Sequence, residues 1–248
     1  MLLVAQLDDA DPEVRWTAAE ALHGTTTDPS AQLILIGKLD RSDADLRQAA
    51  AHALQGGTIT DGSVALILIG KLDYSDTELR WAAAEALHGT TITDPSAQLI
   101  LVGKLDRSDA DLRRAAAHAL QGGTITDGSV ALILIGKLDR SDSELRWAAA
   151  EALHGTTITD SSAQLILIGK LDYADPDLRQ AAAHALQGGT ITDGSVALIL
   201  IGKLDYSDPE VRGAAAQALY GTAITDPSAQ MLLQSKLDYL DQTFDLPT

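Results

Sequence analysis

The sequence predicts an all-α fold, an α-solenoid of 33-residue two-helix repeats, on three observations. An Asp recurs at Asp28, Asp61, Asp94, Asp127, Asp160, Asp193 and Asp226, always 33 residues apart. A fixed period in this range is the signature of stacked supersecondary units. Each unit holds two short segments of helical hydrophobic periodicity between turn signals. Finally, openings of the form Asp-(Pro/Ser)-Ser-Ala-Gln alternate with Asp-Gly-Ser-Val-Ala, so units pair into 66-residue modules. Residues 28–93 and 94–159 differ only at Ile36/Val102, Gln48/Arg114, Tyr74/Arg140 and Thr77/Ser143, which marks recent duplication or deliberate design. The expected organisation is one domain over 1–248. Full repeats span 28–60, 61–93, 94–126, 127–159, 160–192 and 193–225, with a partial N-terminal repeat at 1–27 and a partial C-terminal repeat at 226–248.

In the first full unit, helix A spans Ser30 to Leu39. Asp28 is a good N-cap, and Pro29 sits at the first helical position, where its missing N–H costs nothing. A short Asp40-Arg41-Ser42 link leads to helix B, where Ser42-Asp43-Ala44-Asp45 and, one unit on, Ser75-Asp76-Thr77-Glu78 read as capping boxes. Helix B stops at Gly56-Gly57. A Thr-Ile-Thr turn at 58–60 returns the chain, its Ile filling the gap between units. The buried face of helix B is Leu46, Ala49, Ala50, Ala53 and Leu54, and that of helix A is Ala31, Leu35, Ile36 and Leu39. One unit cannot cover such faces alone, so stacking supplies the core.

Composition narrows function. Hydrophobic residues make up 46% of 248 residues but aromatics only 4%, so the core is Leu, Ile and Ala. The net charge of −17 repels nucleic-acid phosphates, which demand basic grooves. It either steers cationic partners inward or keeps an elongated chain soluble. With no Cys there is no disulfide and no thiolate chemistry, which fits a reducing, cytoplasmic setting. The N-terminus lacks a basic segment before Asp8 and Asp9, unlike a signal peptide. No apolar run approaches the roughly 20 residues of a membrane span. There is no phosphate-binding Gly-rich loop and no nucleophile elbow. The Asp40-Arg-Ser-Asp43-Ala-Asp45 link lacks the turn Gly and the final Glu of a calcium loop.

Two strings, Asp11-Pro12-Glu13-Val14-Arg15-Trp16-Thr17-Ala18-Ala19-Glu20-Ala21-Leu22 and Asp208-Pro209-Glu210-Val211-Arg212-Gly213-Ala214-Ala215-Ala216-Gln217-Ala218-Leu219, resemble HEAT-like repeats of the phycobilisome-lyase type. The resemblance covers nearly the whole chain and speaks to fold more than to function. It implies a right-handed superhelix with helix A on the concave side. It also implies a ladder in which Arg15, Arg47, Arg80, Arg113, Arg146, Arg179 and Arg212 pair with an Asp of a neighbouring turn. Departures are the longer Gly-Thr-Thr-Ile-Thr turn and the unusually apolar helix A. Deoxyhypusine hydroxylase, a relative of these repeats, binds iron through His-Glu dipeptides, and none occurs here. Nothing marks a bilin pocket, and glycosylases of this repeat class need basic clefts. The expectation is a non-enzyme without cofactor.

Two surfaces are candidates for partner binding. On helix A, Leu33, Ile34 and Gly37 point away from the buried stripe, as do Leu66/Ile67/Gly70, Leu99/Ile100/Gly103, Leu132/Ile133/Gly136, Leu165/Ile166/Gly169 and Leu198/Ile199/Gly202. A helix-interior Gly costs about 1 kcal/mol relative to Ala. Six of them point either to a concave groove where a partner approaches closely or to tight packing that admits a neighbouring helix of the same chain. On helix B, Trp81, Glu85 and His88 form one stripe, repeated as Trp16/Glu20/His23 and Trp147/Glu151/His154. Such Trp residues serve either as binding anchors or as covers over a neighbour's alanines. Glu20, His52, Glu85, His118, Glu151 and His184 alternate along this face. A spacing near 10 Å between units argues against a metal, whose ligands lie about 2 Å away.

The expected partner is a protein or peptide, basic or apolar, with neither nucleic acid nor membrane as a target. The chain begins inside a helix A without its cap, which reads as a fragment of a longer array. Exposed apolar residues at the ends, Met1, Leu2 and Leu3 and then Met231, Leu232 and Leu233, offer a second route to homo-oligomers, beside the groove.

Overall fold

The computed structural model describes residues 2–244, with side chains to residue 238; the expectation for Met1 lies outside this range. Helices A are Pro29–Lys38, Gly62–Gly70, Pro95–Gly103, Gly128–Gly136, Ser161–Gly169 and Gly194–Gly202. Helices B are Pro12–Leu22, Ala44–Leu54, Thr77–Leu87, Ala110–Leu120, Ser143–Leu153, Pro176–Leu186 and Pro209–Leu219. Short Leu2–Gln6 precedes them and Pro227–Phe244 follows. The last helix runs past Tyr239, where the repeat pattern ends. In it Lys236-Leu237-Asp238 stays α-helical, whereas the same tripeptide forms a 3-10 turn from Lys71–Asp73 onward.

Asp caps every full helix. Asp28 accepts from Ala31 N–H and Asp43 from Asp45 and Leu46 N–H. Asp43 and Asp76, rather than the preceding serines, are therefore the caps of their helices B, a correction of one position. Helix B ends at a glycine in the left-handed region, with φ of +71° at Gly56. The core is one continuous Leu, Ile and Ala cluster running the length of the array, and all of the predicted face residues of the first full unit lie in it.

The returning turns do more than plug gaps. Thr58–Ile59 pairs in parallel with Thr91–Ile92, Thr124–Ile125 with Thr157–Ile158, and Thr190–Ile191 with Ala223–Ile224. Beside them Gly24, Gly56, Gly89, Gly122 and Gly155 each donate a backbone N–H to the next unit at 2.8–3.2 Å. The helix A row and the helix B row are the two flanks of the array, joined along one edge by these turns and along the other by the links from helix A to helix B.

Consecutive interfaces are of two kinds, and they explain the 66-residue module. The first kind joins 1–27 to 28–60, 61–93 to 94–126, and 127–159 to 160–192. There a buried Gln bridges the turns: Gln98 Nε2 donates to Ile92 O at 2.6 Å and to Thr124 O at 3.0 Å, and Gln32 and Gln164 do the same. A methyl at Gly123 would lie 2.8 Å from Thr90 O, and one at Gly128 2.9 Å from the Asp160 carboxyl. Only Gly fits such approaches. The second kind, between the intervening pairs, carries the parallel strand pairing.

Candidate functional site

Two ion-pair ladders hold the link edge. Arg15, Arg80 and Arg146 reach Asp45, Asp109 and Asp175 at 3.2–3.6 Å, whereas Arg47, Arg113 and Arg179 pair with Glu78, Glu144 and Glu210. The partner thus alternates between Asp and Glu instead of being always Asp. Arg212 donates to the Tyr206 and Ser207 carbonyls. The second ladder escaped the sequence reading. Lys38, Lys71, Lys104, Lys137, Lys170 and Lys203 are buried and pair with Asp8, Asp40, Asp73, Asp106, Asp139 and Asp172 at 2.5–2.7 Å. Its signal was the Lys-Leu-Asp string, which recurs once in every full unit. An open cleft of about 980 Å³ lies at this edge between the 106–108 and 139–142 links.

On the helix B flank, rows expected to stand too far apart do touch. His52 Nε2 meets Glu20 Oε2 at 2.8 Å, and His118 and His184 meet Glu85 and Glu151 at 3.0 Å. The average unit spacing ignored side-chain reach. Gln55 Nε2 donates to Glu85 Oε1 and approaches His88 Nδ1 at 3.1 Å, and Gln121 repeats this with Glu151 and His154. Imidazoles stack at 4.6 Å in the pairs His23/His52, His88/His118 and His154/His184. Burial holds His88 and His154 below the ordinary imidazole value, with the neighbouring imidazole acting the same way. The hydrogen bonds from His118 and His184 hold Glu85 and Glu151 below the ordinary carboxyl value against the opposing effect of burial. Among the described residues no three His, Asp or Glu are placed to hold a metal ion.

Trp16 stacks on His52 at 4.8 Å, and Trp81 and Trp147 tilt over His118 and His184 at 5.9 and 6.1 Å. Each stays 39–47% exposed. A cavity of about 680 Å³ lies between Trp81 and Trp147 over Ala110 and Ala117, and a smaller one lies beside Trp16. Unit 193–225 carries Gly213, Gln217 and Tyr220 at the Trp, Glu and His positions. In the three units that hold the Trp–Glu–His set, the Trp and the Glu meet a His of the next helix B.

The helix A flank is different in kind. Leu33, Ile34, Leu66, Ile67, Leu99, Ile100, Leu132, Ile133, Leu165, Ile166, Leu198 and Ile199 are each 39–49% exposed. A methyl on Gly37, Gly70, Gly103, Gly136, Gly169 or Gly202 would meet nothing within 4 Å. These glycines therefore admit no neighbouring helix of the chain. In each unit an exposed Ser, such as Ser96 or Ser162, lies three residues before the Leu, so the visible stripe reads Ser, Leu, Ile, Gly at i, i+3, i+4 and i+7. The lysines of helix A are buried in their ion pairs, which leaves this stripe without charge. At the ends, Leu2 and Met231 are 78% and 74% exposed.

No helix among the described residues is long and apolar enough to cross a membrane. No curated protein matches the chain. The archaeal HEAT-like repeats protein from Thermococcus onnurineus NA1 is 14% identical, with 94% of this chain and 96% of that chain covered at a TM-score of 0.42. The complex of CpcE and CpcF of phycocyanin lyase from Nostoc sp. PCC7120 is 21% identical over 88% and 92% of the chains, at 0.39. An engineered protein is 21% identical over 94% and 70%, at 0.38. The model for HEAT repeats matches residues 1–88 and 130–219, more than half of the sequence, and the chain belongs to the HEAT-repeat family.

Proposed function

We propose that the chain is a non-catalytic, protein- or peptide-binding scaffold whose docking surface is the helix A flank. The observation that carries this is the pairing of twelve half-exposed Leu and Ile side chains with six glycines that the fold does not need. Monomers rarely leave a long row of apolar side chains uncovered, and such a row marks an interaction site. Intramolecular packing leaves it uncovered, and helix propensity alone would replace each Gly with Ala. The ligand class is apolar rather than nucleic, since the strip is uncharged and the chain carries −17. A labelled amphipathic helical peptide of Leu, Ala and Lys is the probe. Fluorescence anisotropy is expected to give binding that weakens at least about tenfold in Leu99→Lys/Leu132→Lys, with unchanged helical content. Equal binding to the wild type and that variant would sink the reading.

A further inference from the structure

Resting on that reading of the helix A flank, we infer that its occupant is a second copy of the chain, the two copies meeting flank to flank. Three observations converge on this. The first is extent. Twelve Leu and Ile side chains at 39–49% exposure, with six serines and six glycines beside them, line one flank of a single copy. A standard interface uses roughly 20–30 residues a side.

The second is shape. The stripe repeats the same ridge, Leu and Ile, between the same notches, Ser on one side and Gly on the other, in six successive units. A two-fold axis lying in the plane between the two facing flanks lays the ridges of one copy into the notches of the other, the self-complementary arrangement a symmetric dimer requires. The open space over each glycine is what an incoming ridge fills.

The third is charge. Two chains of −17 repel each other at every surface but one that carries no charge. The outward stripe of helix A is Ser, Leu, Ile and Gly, its lysines being buried against Asp40, Asp73 and their equivalents. A cationic partner would instead prefer the acidic link edge. Association between like-charged chains through an apolar strip strengthens as salt rises, whereas capture of a basic partner weakens.

The test is sedimentation of the full chain over about 1–100 μM, at about 0.02 and 0.5 M NaCl. The expected result is a mass rising from 26.0 kDa to twice that value, at a lower concentration in high salt. Leu99→Lys/Leu132→Lys returns the mass to the monomer. So does Ser96→Glu/Ser162→Glu, which adds acids at helix N-termini where they favour the helix and so keeps the fold. Gln48→Glu, on the opposite flank, leaves the dimer intact. A mass of 26.0 kDa at every concentration overturns the inference, as does association that survives both variants or dissolves as salt rises. The docking reading fails separately: it falls if the peptide binds the Lys variant as tightly as the wild type, whatever the mass.

Discussion

A methyl added at Gly123 would lie 2.8 Å from Thr90 O, whereas one added at Gly136 would meet nothing within 4 Å. The same substitution therefore has opposite signs at the two sites. Gly136→Ala, and likewise Gly103→Ala, trades a poor helix former for the best one and is expected to stabilise the fold by up to about 1 kcal/mol each. Gly123→Ala forces two backbones apart and is expected to cost roughly 1–3 kcal/mol. Urea titration of the three variants checks this, and destabilisation by Gly136→Ala would show that the glycine serves the chain's own packing. Sequence alone left those two explanations of the helix A glycines level. Both place Gly on an apolar helix, and only the position of the next unit decides which one holds. In the sequence Gly57 reads simply as part of a helix stop, although its second task, shared with Gly123 and Gly189, is to let a neighbour's carbonyl pass, and that is what makes each one a glycine.

At the scale of elements, the helices were legible and the interfaces were not. Asp caps, Pro at the first position and Gly stops are local signals, readable within about four residues. The strand pairs join two-residue segments 33 positions apart, too short to leave any alternation in the sequence. The Lys ladder joins Lys71 to Asp40 across 31 residues, and each partner alone looks like an ordinary surface charge. Gln98, hidden in an apolar helix, is the bridge of one interface kind. Gln98→Leu leaves the Ile92 and Thr124 carbonyls buried without a donor and is expected to cost about 1–3 kcal/mol in urea unfolding. A loss no larger than that of an exposed substitution would refute its bridging role.

The histidine row makes stability pH-dependent. His88 and His154 hold lowered values in the fold, so protons bind the unfolded chain more readily as pH falls below the ordinary 6.5. Glu85 and Glu151, also lowered, add a loss in the same direction below the ordinary 4.5. Stability is therefore full above pH 6.5 and declines toward acid. His88→Gln/His154→Gln is expected to flatten the fall in Tm between about pH 6.5 and 5. An unchanged slope there would assign the acid sensitivity elsewhere.

Across the whole molecule, the two interface kinds make the 66-residue module, not the 33-residue unit, the quantum of the array. Solenoid stability is close to a sum of unit and nearest-neighbour terms, so what matters in a deletion is which faces it brings together. Removing 94–159 joins 61–93 to 160–192. Thr90 then faces Gly189, Trp81 and Glu85 face His184, and Gln164 supplies the bridge, each as in the parent array. Removing 94–126 instead joins 61–93 to 127–159, two units of the same kind. Thr156 would enter the space that only Gly123 fits against Thr90, Glu85 would face Glu151 in place of His118, and Ala131 would stand where a bridging Gln is needed. The larger deletion is therefore expected to give a cooperative helical fold with a modestly lower Tm, and the smaller one a fold several kcal/mol weaker, well beyond its share of lost core. Thermal melts followed by circular dichroism compare them directly. If the 33-residue deletion proves as stable as the 66-residue one, the alternation of Gly, Gln and His across the interfaces carries no structural weight.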